Sequence, residues 1–367
     1  MNPCRIDVCK RVDAEDINAG KKNQNNRQEN RIMQQGKQSI RFEQAPRILG
    51  AASVVGEKES QGPLRQFFDE IEKDPMCGTD NWEAAESELQ KRAAERALEK
   101  SGVTRNQVRY LFAGDLLGQL IATSFGTVDL QIPVLGLYGA CSTMGEAMGL
   151  AASFVDGDNA DYTLALASSH FASAEKQFRF PLEYGNQRPY SATWTVTGCG
   201  AVVLGKQEGM AKITGMTPGK IVDMGYKDSM NMGAAMAPSA VDTIWQHLQD
   251  FERTPEDYDQ IITGDLGTIG SEILVDFLRS KGCDISERHM DCGVKIFSDQ
   301  DQDTHAGGSG CGCSAVTFCG YVLPKIQTGE WRRVLFVPTG ALLSTTSFNE
   351  GNSIPGIAHA VVVETLM

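Results

Sequence analysis

No run of about 18 apolar residues occurs in this chain, so no segment has the length to cross a bilayer as a helix. The first 20 residues hold no apolar stretch either, which predicts no cleaved leader. Basic residues are the minority, 34 lysines and arginines against 47 acids, for a net charge of −13. Without a basic stripe to displace counterions from phosphates, nucleic acid is excluded as a partner. Histidine is scarce, at five. No histidine pair or second cysteine pair is spaced to complete a site with Cys311 and Cys313, so neither metal nor cofactor is expected. The ten cysteines form no small secreted framework, which suits reduced thiols. No short unit recurs three or more times, so a solenoid of repeats of about 20–50 residues is excluded.

A longer repeat is present. ALEKSGVTRNQVRYLFAGDL (97–116) pairs without a gap with HLQDFERTPEDYDQIITGDL (247–266), sharing Leu98 with Leu248, Gly114 with Gly264 and Asp115 with Asp265. GACST (139–143) falls opposite CGCSA (311–315), each followed at equal distance by a Gly-acid pair and a hydrophobic strand. Helix, strand, turn, helix and strand therefore occur twice. Such a chain is a pseudo-dimer of α/β halves, read as 37–205 and 206–367, and its pocket is expected where facing strand ends converge.

Residues 1–36 are polar and rich in Asn and Gln; they bury too little apolar surface to offset ordering and read as a disordered extension. Beyond them, Trp82, Ala85, Leu89, Ala93 and Ala97 recur at helical spacing and predict a helix over 82–101, ended by Gly102. Short apolar strands follow at 110–113, 132–138 and 162–168, with a helix of small residues at 141–155. The second half repeats the order at 239–252, 259–263, 313–326 and 333–338. Continuous apolar strands between helices predict sheets covered on both faces. The helices starting near Cys141 and near Cys313 carry few charges and are expected between the sheets.

At Tyr138-Gly139-Ala140-Cys141-Ser142-Thr143 a strand runs into a turn and then a helix. Free N–H groups at that helix start would favour a thiolate at Cys141. The plain structural alternative is a buried core cysteine. Asp115 and Asp265 each follow a strand inside Gly-Asp-Leu, where an Asp ordinarily pins a turn. The methionines of 230–236 suit either a pocket wall or core packing.

The GACST turn and the two-half repeat resemble the thiolase and β-ketoacyl synthase superfamily. Longer strings narrow the resemblance: GPLRQFFDE (62–70), FAGDLLGQ (112–119), ASSHFASAEKQFRFPLEYG (167–185), TVTGCGAVVL (195–204), MNMGAAMAPSAVDTI (230–244) and AGGSGCGCSAV (306–316). Together they resemble the stage V sporulation protein AD family, a thiolase-like part of the SpoVA apparatus of endospore formers, over about residues 36–366. The resemblance implies an α/β, five-layered αβαβα thiolase-like fold. It also implies binding of dipicolinic acid (pyridine-2,6-dicarboxylate) for uptake into the forespore, SpoVA membrane subunits as partners, a homodimer, and a peripheral place at the forespore or spore inner membrane.

Departures from working condensing enzymes are visible in the same comparison. Counting back from Glu364, Asn352 stands in the place of a thiolase's second cysteine, and Ile354-Pro355-Gly356 in that of its glycine turn. Pro355 has no N–H to lend to an oxyanion hole. At Thr263-Gly264-Asp265 the superfamily's histidine position reads Asp265. His305 loosely resembles the activating histidine of thiolases, but its loop is one residue short. The expected ligand contacts are Cys141, His170, Asp265, Ser309 and Gly310; the satisfied-core alternative stands beside His170, and Arg179 and Arg188 are the nearest cations. The leading reading is a dipicolinate-binding protein without catalysis. The alternatives are a β-ketoacyl synthase III or thiolase-type condensing enzyme using Cys141, and a purely structural subunit with a vestigial pocket.

Overall fold

Residues Trp82–Ser101 form the helix that the apolar spacing predicts, with its boundaries set by local chemistry. The Asn81 side chain accepts from the Ala84 N–H at 2.9 Å, and Gly102 closes the helix in the left-handed region at φ 68°. Ala85, Leu89, Ala93 and Ala97 are buried against the sheet. The computed structural model describes residues 34–178 and 188–367. The expected extension therefore lies outside the described residues up to residue 33, and so does Arg179.

Three short strands pair off the continuous path of the principal sheet, which runs through ten strands: β1 (Arg47–Val55), β2 (Tyr110–Gly114), β3 (Val134–Gly136), β4 (Tyr162–Ser169), β5 (Gly198–Gly205), β6 (Ala211–Thr217), β7 (Gln260–Thr263), β8 (His289–Asp291), β9 (Arg333–Val337) and β10 (Ala360–Glu364). Their order is β8-β7-β9-β10-β6-β1-β5-β4-β2-β3. Reading outward from the centre, β1-β5-β4-β2-β3 is matched strand for strand by β6-β10-β9-β7-β8. The pairings match too: antiparallel for the first two steps and parallel for the last two. The sets join where β1 meets β6, Ile48 opposite Ala211 and Arg47 opposite Lys212. The short β8, His-Met-Asp, is absent from the sequence reading because three residues with two polar side chains carry no strand period.

Helices and strands stack as αβαβα. Helix 82–101 covers one face of β1, β4 and β5, and helices Met232–Asp250 and Gly267–Ser280 cover the far side of the second set. Between the sets lie two buried helices that touch each other. The first, Thr143–Asp156, packs on β2 and β4 and reaches β10. Its small residues permit this: a Cβ on Gly145 would stand 2.8 Å from the His359 carbonyl oxygen. The second starts at Cys311 rather than near Cys313. Gly310 caps it at φ 99°, a turn open to glycine, so the helix begins two residues earlier than the repeat implied. It continues through a π turn at Phe318–Val322 to Gln327, ahead of Pro324, whose missing N–H disturbs the ladder.

Candidate functional site

The carboxyl ends of the parallel strands deliver the site. After β3, Gly139-Ala140-Cys141-Ser142 turns sharply into a single 3-10 turn and then the first buried helix. Ala140 is held at φ 48°, a conformation costly for a residue with a Cβ. Local bonds hold it there: Ser142 Oγ donates to the Gly139 carbonyl at 2.6 Å and Thr143 Oγ1 to the Ala140 carbonyl at 2.6 Å. The Cys311 thiol adds a third bond, to the Ala140 carbonyl at 3.0 Å. From the other half, the ribbon Thr339–Ala341 with Gly356–Ala358 presses Gly340 onto the elbow. A Cβ there would stand 2.3 Å from the Gly139 oxygen, so only glycine fits.

Around Cys141 a cavity of about 30 Å³ is lined by Leu116, Ala140, Glu175, Thr195, Met232, Ser309, Gly310, Ala341 and Leu343. That volume holds one or two waters and no more. Asp265 stands behind two of the lining residues, Gly310 and Cys141, and bonds to both. Its Oδ2 accepts the Gly310 N–H at 3.0 Å, its Oδ1 accepts the Thr339 hydroxyl at 2.8 Å, and the Cys141 thiol also bonds to it. Burial raises the Asp265 carboxyl to about 7 against these bonds, so it carries a proton at mildly acid pH. Burial first, and then the Asp265 carboxylate, hold the Cys141 thiol well above the ordinary range. This corrects the expectation of a favoured thiolate. The N–H groups of one short turn do not outweigh complete desolvation beside an acid, and no cation or histidine lines the cavity among the described residues.

Four of the five expected contacts thus come together: Cys141, Asp265, Ser309 and Gly310. His170 does not join them. Its Nδ1 accepts the Ala172 N–H at 3.2 Å, which leaves Nε2 to donate to the Pro75 carbonyl at 2.8 Å. Trp82 and Phe171 pack against its ring, at 5.5 and 5.0 Å between centroids. It is a satisfied core histidine, held neutral by burial. His305 lies away from the cavity, bonded to the Pro189 carbonyl at 2.8 Å and to Asp303 at 3.1 Å. Asn352 is exposed and takes no part. Asp115 pins its own loop by accepting the Leu117 N–H, the Thr123 N–H and the Thr123 hydroxyl. Arg188 bonds to Asp303 and stacks on Trp194 at 5.1 Å, outside the cavity.

Glu175 and Thr195 were not singled out from the sequence, although both lie in strings that carried the resemblance. Thr195 Oγ1 donates to Glu175 Oε1 at 3.1 Å across the cavity wall. The signal available was topological: helix Phe171–Phe178 begins directly after β4, at the strand ends where the pocket was expected. Thr339, which orients Asp265, follows β9, the counterpart of β4 in the other half.

Comparison with known proteins adds an independent line. The family model described as stage V sporulation protein AD matches residues 36–364. The chain is 45% identical over 329 residues to stage V sporulation protein AD of Bacillus subtilis strain 168, covering 90% of this chain and 97% of that one. Among solved structures it is similar to 3-oxoacyl-[acyl-carrier-protein] synthase III of Aquifex aeolicus VF5, with a TM-score of 0.51, 14% identity, and 87% and 99% of the two chains covered. It is also similar to OleA of Xanthomonas campestris, with a TM-score of 0.55, 14% identity, and 88% and 99% covered. At such identities these structures establish the thiolase-like fold alone.

Proposed function

The chain belongs to the stage V sporulation protein AD family, and on that premise we propose that it binds dipicolinate without turning it over, as a peripheral partner of SpoVA membrane subunits. The observation that carries this reading is the state of Cys141. The superfamily's nucleophile position keeps its elbow, yet the thiol is neutral, its neighbour is Asp265, and no histidine among the described residues lines the cavity to activate it or to polarise a thioester carbonyl. What such a cavity retains for an anion is the Ser309 hydroxyl, with the Asp265 carboxyl, protonated below about pH 7, behind Gly310 and Cys141. A ligand carboxylate at the Cys141 turn, with Ser309 and Gly310 as flanking contacts, fits that set. The cavity must widen to admit it, and unbranched Met232 gives it one compliant wall.

No helix among the described residues is long and apolar enough to cross a membrane, so attachment at the forespore or spore inner membrane falls to the membrane subunits. Calorimetric titration with dipicolinate tests the reading. The expected result is saturable binding, weakened in Cys141→Ala, with no acyl adduct on Cys141 after incubation with acetyl-CoA. An acyl-enzyme or a condensed product would establish the condensing alternative; absence of both binding and acylation would leave the structural-subunit reading.

A further inference from the structure

A second cavity lies on the other side of the wall formed by residues 194–197 and helix Phe171–Phe178. Thr195 and Glu175 face the Cys141 cavity, while Trp194, Thr197 and Phe171 face this one. Its volume is about 190 Å³. An engineered cavity of about 150 Å³ is enough to hold benzene, so one aromatic ring has room here. The lining combines apolar Trp194, Phe171 and Pro75 with cationic Lys58 and Lys73. Lys58 Nζ stands 4.3 Å from the Trp194 ring centroid and uses a single N–H on the Gln302 carbonyl at 2.8 Å. Among the described residues no other acceptor bonds to it, so its remaining donors can meet a ligand. Glu59, only 1% exposed, accepts the Thr197 N–H on Oε1 at 3.0 Å; the backbone N–H groups of Gly56 and Glu59 also favour its charged form, while its Oε2 meets no donor at full hydrogen-bond geometry among the described residues. That oxygen lies 2.8 Å from where a Cβ on Gly56, another lining residue, would stand.

We propose that this cavity is a second ligand site, which binds a small aromatic carboxylate with its ring against Trp194, Phe171 and Pro75 and its carboxylate between Lys58, Lys73 and the Glu59 carboxyl. The two cations attract the ligand carboxylate, its ring meets the apolar lining, and the protonated Glu59 carboxyl donates to the ligand. Burial raises Glu59 to about 7. Lys58 beside it favours the charged form, Glu57 and Lys73 also line the cavity, and Arg188 and Asp303 act on Lys58 with opposite signs. The donor is therefore present below about pH 7 and lost above it, so binding weakens as pH rises through that value.

Benzoate is the probe, titrated calorimetrically into the full chain at pH 6 and pH 8. The wild type is expected to bind more tightly at pH 6. Lys58→Met with Lys73→Met should weaken binding roughly tenfold or more, the scale of a lost charge-assisted bond. Lys73→Met alone alters an exposed side chain, so the fold is kept, and it should weaken binding by roughly threefold. Glu59→Gln keeps a donor and removes the titration, so its affinity should be the same at both pH values. The proposal is overturned if the wild type shows no saturable binding below about 10 mM. It is equally overturned if Lys73→Met and the double variant bind as tightly as wild type, or if Cys141→Ala rather than the lysine changes removes the binding.

Discussion

Ala140 and Cys141 are adjacent, and the sequence made only one of them legible. The elbow could be read from GACST because a small-residue turn between a strand and a helix leaves few other geometries. The direction of the Cys141 shift could not. The expectation counted the N–H groups at the helix start, whereas complete burial and the Asp265 carboxylate depend on chain segments more than a hundred residues away. Cys141 should consequently alkylate with iodoacetamide more slowly at pH 8 than a free thiol does. Asp265→Asn, which removes the neighbouring charge, should speed the reaction if charge as well as access sets the rate; mass spectrometry of the Cys141 peptide over time checks both. Gly340 offers a stability test. A methyl group there meets the Gly139 oxygen at 2.3 Å, so Gly340→Ala should lower stability by about 1–3 kcal/mol in denaturant unfolding, the usual cost of overpacking. An unchanged midpoint would mean that the Thr339–Ala341 ribbon is free to move away from the elbow.

Among the elements, long periodic ones were legible and short ones were not. Helix 82–101 announced itself by spacing and by its Gly102 stop, whereas β8 and the ribbon of Gly308–Ser309 with Trp194–Thr195 are too short to show a period. The paired aspartates show that a repeat need not repeat a role: Asp115 pins its own loop, and its counterpart Asp265 bonds to Cys141 and Gly310 at the site. Strand β3 sits at the end of the sheet order with Val134, Leu135 and the nearby Phe125, Val128 and Tyr138 exposed. An open edge beside apolar side chains is where the homodimer that the resemblance implies would pair. Leu135→Asp should then shift sedimentation from dimer toward monomer at micromolar concentration. A wild type that sediments as a monomer there would remove β3 as a dimer edge.

At the scale of the whole molecule, the duplicated strand order was visible as a repeat, while the buried ionisable groups were not. Burial raises Glu59 and Asp265 to about 7, Asp291 to about 6 and Glu86 to about 8. Unfolded carboxyls lose their protons near pH 4, so from there to about pH 8 these groups make the folded chain bind more protons, and their contribution falls as pH rises. Buried histidines act oppositely. His247 is lowered to about 3, and His289 and His359 to about 4. Their unfolded forms take up protons below about pH 6.5, so their contribution falls as pH drops. The two sets oppose each other below about pH 6.5; above it the carboxyls act without the histidines, joined from about pH 8 by buried thiols such as Cys141 and Cys311, which keep protons that unfolded thiols lose. Thermal melts should therefore be nearly level from about pH 5 to 6.5 and decline from about pH 7 to 8.5. A melting temperature that climbed across the upper interval would show that these carboxyls are not buried in protonated form. The partition at residues 194–197 has a consequence of a different kind. Because side chains of one segment, Thr195 on one side and Trp194 and Thr197 on the other, face two cavities, an occupant that displaces the segment on one side changes the free energy of filling the other. Thermodynamic linkage then fixes the exchange: whatever factor the first occupant imposes on the second, the second must impose on the first.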